Sequence, residues 1–252
     1  MKITQHITFF YLEKRIPYIN RIIEEANTYG HSVDIFIHTN KDLSTDIFTK
    51  LTVGTLISIC HDLSGIHPYK LSWKCRDLLS KQKDDYDIFI YIEDDILIPS
   101  KTLDYWIEYS PKVIQHGYIL GFLRVEQEGG KEFVVDVTSQ LTDTLTIEQT
   151  EYLINNKSAY CACWIYSKEE FNRFVASEFY DLSKIPRSDN FPREISALGL
   201  NSAVGLGIPS WYKATIIPVE KLDSCKVIHL DVRYVKMNMG FSTIEIGSIF
   251  RR

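Results

Sequence analysis

The apolar residues of this chain fall into short, nearly continuous runs separated by amphipathic or polar segments. ITFFYL at 7–12 reads as a strand, VDIFIHTN at 33–40 as the next and TLISIC at 55–60 as a third. Between the first two, YINRIIEEANTYG at 18–30 reads as a helix. Ile19, Ile22, Ile23 and Ala26 recur at spacings of three and four on one face, and Gly30 supplies a stop. A charged helix, SWKCRDLLSKQ at 72–82, leads into DIFIYIEDDILIP at 87–99, a strand that runs into Glu93, Asp94 and Asp95. Strands apolar on both faces suit a parallel sheet covered on two sides, and strand, helix, strand at this spacing is a crossover unit.

The second half has a different rhythm. YILGFLRVEQEGGKEFVVDV at 118–137 predicts a hairpin turning at Gly129-Gly130. AYCACWIY at 159–166 reads as a strand, after which Ser167 and Glu170 have the spacing of a capping box for a helix over 168–176. Pro192 and Gly199 bracket a short helix, REISALG. ATIIPV at 214–219 and KVIHL at 226–230 are further strands, and 231–252 takes no assignment. The expected fold is α/β: a Rossmann-type, mostly parallel central sheet flanked by helices, with a smaller mixed or antiparallel portion, in one domain over 1–252.

Composition narrows the partners. At 252 residues and 45% hydrophobic, the chain can bury one large core. A net charge of −5 lacks the basic excess of a nucleic-acid binder, so no nucleic-acid partner is expected and any phosphate must be met by a metal or a few basic residues. The five cysteines include no CxxC pair and read as reduced thiols. The N-terminal apolar stretch is too short for a signal peptide and no run approaches a membrane span. A cytoplasmic protein is expected, with peripheral membrane contact and oligomeric state left open.

Three strands finish in polar residues: His38-Thr39-Asn40, His61-Asp62 and Glu93-Asp94-Asp95. The carboxyl ends of strands form the ligand crevice of open α/β sheets. Tyr11 and Asp62, near the ends of the first and third strands, therefore join Glu93 and Asp94 as expected nucleotide contacts. In an extended backbone Glu93 and Asp95 share one face and Asp94 takes the other. Crowded carboxylates raise one another's pKa, a cost that a divalent cation removes. Magnesium commonly uses one or two carboxylates and leaves positions for water and phosphate. The competing reading is a solvated acidic turn, against which stand the apolar runs on both sides.

The strand and its acids resemble the DXD-type motif of nucleotide-sugar-dependent glycosyltransferases with the GT-A fold. HPYKLSWKCR at 67–76, the EDD block, GFLRVE at 121–126, Arg193-Glu194 and VIHLDVRYV at 227–235 occur in an order similar to that of a GT-A-like group found in several kingdoms. The resemblance implies sugar transfer from a nucleotide diphosphate donor, UDP by analogy, to a hydroxyl or glycan acceptor, with Mn²⁺ or Mg²⁺. Residues 1–100 would form the nucleotide-binding half, 101–230 the acceptor and catalytic half, and 231–252 a C-terminal tail. It further implies Asp95 as the direct metal ligand, Glu93 or Asp94 on the ribose or the metal's waters, and His229 as a second ligand. Glu93 departs from the motif, which has Asp at its first position. Arg76, in the HPxxLxWxxR-like block, is expected on the diphosphate.

Glu194 and Asp189 compete for the general base of an inverting transfer. Glu194 opens a short helix, where the helix dipole favours a negative charge, although first-turn acids are also ordinary caps. Trp164, Trp211 and Tyr212 read as core or as a sugar platform. Two other classes stay open: a sugar nucleotidyltransferase, which would want a glycine-rich loop where this chain has YLEKRIP, and a non-catalytic nucleotide- or sugar-binding module.

Overall fold

Residues 1–185, 191–200, 211–240 and 244–250 are described by the computed structural model. They form two units. One comprises Met1–Ile96 and Ala162–Gly199, the other Leu97–Cys161 and Leu200–Arg252.

The first unit is built on a five-stranded sheet in the order Cys163–Ser167, Ile88–Glu93, Lys2–Phe9, Ser32–Thr39, Leu56–Cys60. The last four run parallel; Ile3 lies opposite both Val33 and Ile88. Cys163–Ser167 pairs antiparallel at the edge, so the sheet is mixed. The unbroken apolar runs have their reason here: from Ile3 to Phe9 every position is buried, because the strand is covered on both faces. Helix Ile16–Ala26 buries Ile19, Ile22, Ile23 and Ala26, the residues its periodicity selects, with a proline in its first turn.

The helix expected over 72–82 instead begins with a turn at Pro68–Lys70 and divides into Leu71–Lys74 and Arg76–Lys81. Of the strand expected at 159–166, only the second half forms, because Ala162 takes a left-handed φ of 56° just before it. Trp164 then stacks with Tyr166 at 4.7 Å and with Tyr91 at 5.5 Å, which makes it core and not a sugar platform. The capping box forms at Ser167 and Glu170.

A row of histidines crosses three neighbouring strands of this sheet. His6 Nδ1 is 2.9 Å from His38 Nε2, and His38 Nδ1 is 2.8 Å from His61 Nε2. The inner end closes on the Gln82 side-chain carbonyl, 3.0 Å from His6 Nε2. Because that oxygen can only accept, His6 carries its proton on Nε2. With His6 and His38 kept neutral by burial, His38 donates to His6 from Nε2 and His61 donates to His38 from Nε2. His6 and His38 are fully buried, and His61 is half-buried.

The second unit contains two sheets. One has the order Ile119–Leu120, Thr215–Pro218, Thr150–Asn155, Thr144–Ile147. The other includes, in order, Ile244–Glu245, Lys131–Val134, Leu123–Glu128 and Lys226–His229. The expected hairpin turns at Gly129 and Gly130, both with positive φ. The tail left unassigned adds a short strand, Ile244 lying opposite Val134. The hairpin joining Thr144–Ile147 to Thr150–Asn155 was not legible because its two left-handed turn positions are Glu148 and Gln149, with no glycine or asparagine to announce them. Helix Ser100–Ile114 likewise had no assignment; it carries Pro111 inside and buries Leu103, Trp106, Tyr109 and Val113. Among the described residues no helix is long and apolar enough to cross a membrane.

Candidate functional site

Strands Lys2–Phe9 and Ile88–Glu93 run parallel in register, so Thr8 faces Glu93 and their carboxyl ends lie side by side. The strand stops at Glu93 and the chain turns through Asp94 and Asp95, which ends the two-residue alternation at that point. Glu93, Asp94 and Asp95 are only 7%, 5% and 4% exposed. A solvated acidic turn is thereby set aside: these acids are buried.

What meets them is arginine. Arg15, just ahead of helix Ile16–Ala26, donates from Nη1 to Asp94 Oδ1 at 2.5 Å, and its Nη2 lies 3.3 Å from Asp95 Oδ2. Arg193, in the first turn of helix Pro192–Leu198, has its Nε 3.7 Å from Glu93 Oε1 and its Nη2 3.3 Å from Glu194 Oε1. The Arg193 guanidinium lies over the Tyr69 ring at 5.1 Å. A cavity of about 290 Å³ opens among these groups, its wall including Thr8, Arg15, Tyr69, Glu93, Asp94 and Arg193.

The second oxygen of Asp94 is buried and has no hydrogen-bond partner among the described residues. Burial, then the charge of Asp95, pushes the Asp94 carboxyl up to about 7, with Arg15 pulling the other way. An orphaned carboxylate oxygen in a wall of hard oxygen donors fits a divalent cation of the magnesium or manganese kind. Among the described residues no three His, Cys, Asp or Glu side chains converge as a ready-made metal cluster. Asp94 and Asp95 are therefore the residues that would hold such an ion in this unit.

The other expected residues have varied fates. Arg76 does not reach the strand tips. Its guanidinium is buried and donates from Nη1 to the carbonyls of Phe179 and Tyr180, both at 2.8 Å, and from Nη2 to that of Ser196 at 3.4 Å. It stacks over Trp73 at 3.8 Å. The structure thus turns the Arg76 donors, expected on a diphosphate, onto core carbonyls.

Asp62 is exposed and accepts a bond from the Ser64 amide at 2.8 Å; the Ser64 hydroxyl, and after it this amide, hold its carboxyl below the usual range. The amide of Tyr11 donates to the Asn40 side chain at 2.8 Å, and its ring carries the Lys41 ammonium at 4.0 Å. Its neighbours Phe10 and Leu12 line the cavity. Glu194 is in the first turn of its helix, paired with Arg193. Asp189 lies outside the described residues.

His229 belongs to the second unit, whereas Asp95 belongs to the first. His229 is buried, with Nδ1 2.5 Å from Glu126 Oε1 and its ring stacked on Tyr234 at 5.3 Å. Glu126 also accepts from the backbone amides of Val235 at 2.8 Å and Tyr234 at 3.3 Å. Burial alone would raise the Glu126 carboxyl; the His229 and backbone bonds outweigh it and hold it low. A charged Glu126 keeps the proton of His229 on Nδ1 and leaves the ring's lone pair to Nε2, the arrangement that second-shell carboxylates impose on ligand histidines. GFLRVE and VIHLDVRYV meet here because their strands are parallel neighbours, Ile228 opposite Val125.

Arg15 and Glu126 are the residues that sequence reasoning missed. The basic EKR run just after the first strand was the only signal for Arg15, and a glutamate closing an apolar block that for Glu126. The chain matches no family model and no curated protein sequence.

Proposed function

We propose that this chain is a metal-dependent glycosyltransferase that moves a sugar from a nucleotide diphosphate, UDP by analogy, to a hydroxyl acceptor with inversion. One observation carries the reading: three consecutive acids buried at the carboxyl end of a parallel strand, beside a cavity with two arginines in its wall. Ligands of open α/β sheets enter at that end. Burying a carboxylate without compensation costs several kcal/mol, and the buried second oxygen of Asp94, which no described group bonds, is where a dication would offset that cost.

Mn²⁺ or Mg²⁺ held at Asp94 and Asp95 would supply charge to offset that building on the departing diphosphate. The remaining roles fall to the chain's own residues. Arg15 and Arg193, at the cavity wall, take the diphosphate oxygens in place of Arg76, since a guanidinium fork matches phosphate geometry. Glu93 and Tyr69 orient the donor. Glu194, held by Arg193, accepts the acceptor's hydroxyl proton, and Asp189 is the alternative base.

A thermal-unfolding screen of nucleoside diphosphates with and without Mn²⁺ tests this. A nucleotide at one hundred times its Kd should stabilise the protein by about 2.7 kcal/mol, and the same concentration should give a clearly smaller shift when the metal is left out. Asp95→Asn should lose that shift yet unfold no earlier on its own, because it removes a repelling neighbour of Asp94. No metal-dependent shift with any nucleotide would end the proposal. Stabilisation without turnover across an acceptor panel would favour the binding module.

A further inference from the structure

We infer that Arg15 makes cation binding at Asp94 and Asp95 conditional on an anionic ligand in the cavity. The inference rests on the donor-site reading above and adds to it a residue that couples the two ligands. The fork of Arg15 spans both carboxylates, one nitrogen on each, at 2.5 and 3.3 Å. These are the groups that a dication would need. A guanidinium and a doubly charged ion cannot both hold them: they compete for the same oxygens and repel one another across a few ångströms in a poorly solvated place.

Arg15 also lies outside the packed core. Its side chain is 18% exposed, against 7% and 5% for those of the two aspartates. It sits on a single turn, Glu13–Arg15, which buries no residue. It lines the same cavity as Arg193 and Tyr69. A diphosphate entering there offers oxygens with the geometry of the carboxylates Arg15 now holds. Moving the fork from carboxylate to phosphate conserves its ion pairs and releases Asp94 and Asp95 for the metal. Arg15 is thus a positioning residue, a stand-in cation in the empty site and a phosphate clamp in the filled one. By linkage, each ligand must then tighten the other by the same factor.

The test is Mn²⁺ binding to the full chain, followed at pH 8 by the electron paramagnetic resonance signal of free Mn²⁺, without nucleotide. Arg15→Gln should bind Mn²⁺ about tenfold more tightly than the parent, a coupling of ordinary size. Metal-free UDP, followed by calorimetry, should bind the variant about tenfold more weakly. Arg15→Lys keeps the charge but cannot bridge both carboxylates, so its Mn²⁺ affinity should fall between the two. If Arg15→Gln does not fold, the lysine variant and the parent's Arg15 side-chain nitrogen resonance carry the test; that resonance should move when UDP is added and stay put with Mg²⁺ alone. Equal or weaker Mn²⁺ binding by a folded Arg15→Gln protein overturns the gating role while leaving the donor site standing, provided UDP and Mn²⁺ together still bind the parent. Failure of the parent to bind that pair overturns both.

Discussion

Acidifying the Asp94→Asn protein from pH 7.5 to pH 5 should cost at least about 2 kcal/mol of unfolding free energy, and the parent distinctly less. The histidine row is the source of the loss. Burial pushes His6 down to about 3 from an ordinary 6.5, against the Gln82 bond that pulls upward, and burial together with its imidazole neighbours holds His38 well below the same value. Both rings are neutral in the fold, while in the unfolded chain they take up protons near 6.5. Stability from them is therefore complete above that pH and is lost as pH falls below it, at about 1.4 kcal/mol per unit for each ring. Half-buried His61, held below its ordinary value first by burial and then by Lys74, acts in the same direction.

Asp94 works in the opposite sense. Its folded carboxyl titrates near 7 and its unfolded one at 3.8, so the folded state binds this proton first and gains stability as pH falls through 7. Between the two pH values that gain opposes the histidine loss and masks part of it until Asp94 is replaced. Urea unfolding of both proteins at the two pH values measures the difference directly. If Asp94→Asn held its stability within 1 kcal/mol, the imidazoles would have to be protonated in the native state and the tautomer chain from Gln82 would be broken.

Replacing Arg76 with alanine should destabilise the first unit by about 3–5 kcal/mol, a loss large enough to leave many domains unfolded. The reason is what the guanidinium covers. It caps the carbonyls of Phe179, Tyr180 and Ser196, and the Tyr180 hydroxyl donates back to the Arg76 carbonyl at 2.5 Å. The guanidinium lies among carbonyl dipoles and the faces of Trp73, Phe174 and Tyr180, and its charge also acts on Asp181. Truncation removes the guanidinium bonds to these carbonyls, of which that of Ser196 keeps the Trp164 indole at 3.1 Å, and leaves a void between aromatic rings, each with its own cost. Arg76→Met refills the void but not the bonds, and should recover about half of the loss. Urea denaturation separates the cases. An alanine variant within 1 kcal/mol of the parent would return Arg76 to the surface and reopen its expected role on phosphate.

These two residues also mark the limit of what the chain discloses in one dimension. Arg76 and Arg15 look alike in sequence, each a basic residue near an apolar strand, and the family-like block favoured the first. Only burial tells them apart. The acids at 93–95 were legible as a strand tip; that they are interior, and that Arg15 rather than solvent answers them, was not. The histidines stand 32 and 23 positions apart, and nothing local announces a bonded row. Helix Ser100–Ile114 is a different case: its apolar face is spaced for a helix, and Pro111 and the dense aromatics obscured it.

The amino-acid order by itself determined the parallel strands, the helix that buries Ile19, Ile22, Ile23 and Ala26, the capping box at Ser167 and the turn at Gly129-Gly130. Each is written in side-chain periods and backbone preferences that act over a few residues. Tertiary structure alone decided which arginine faces the acids, which histidines share protons and which glutamate orients His229. Those outcomes depend on strand register and on loss of water, quantities set between positions far apart in the chain, where no local spacing can record them.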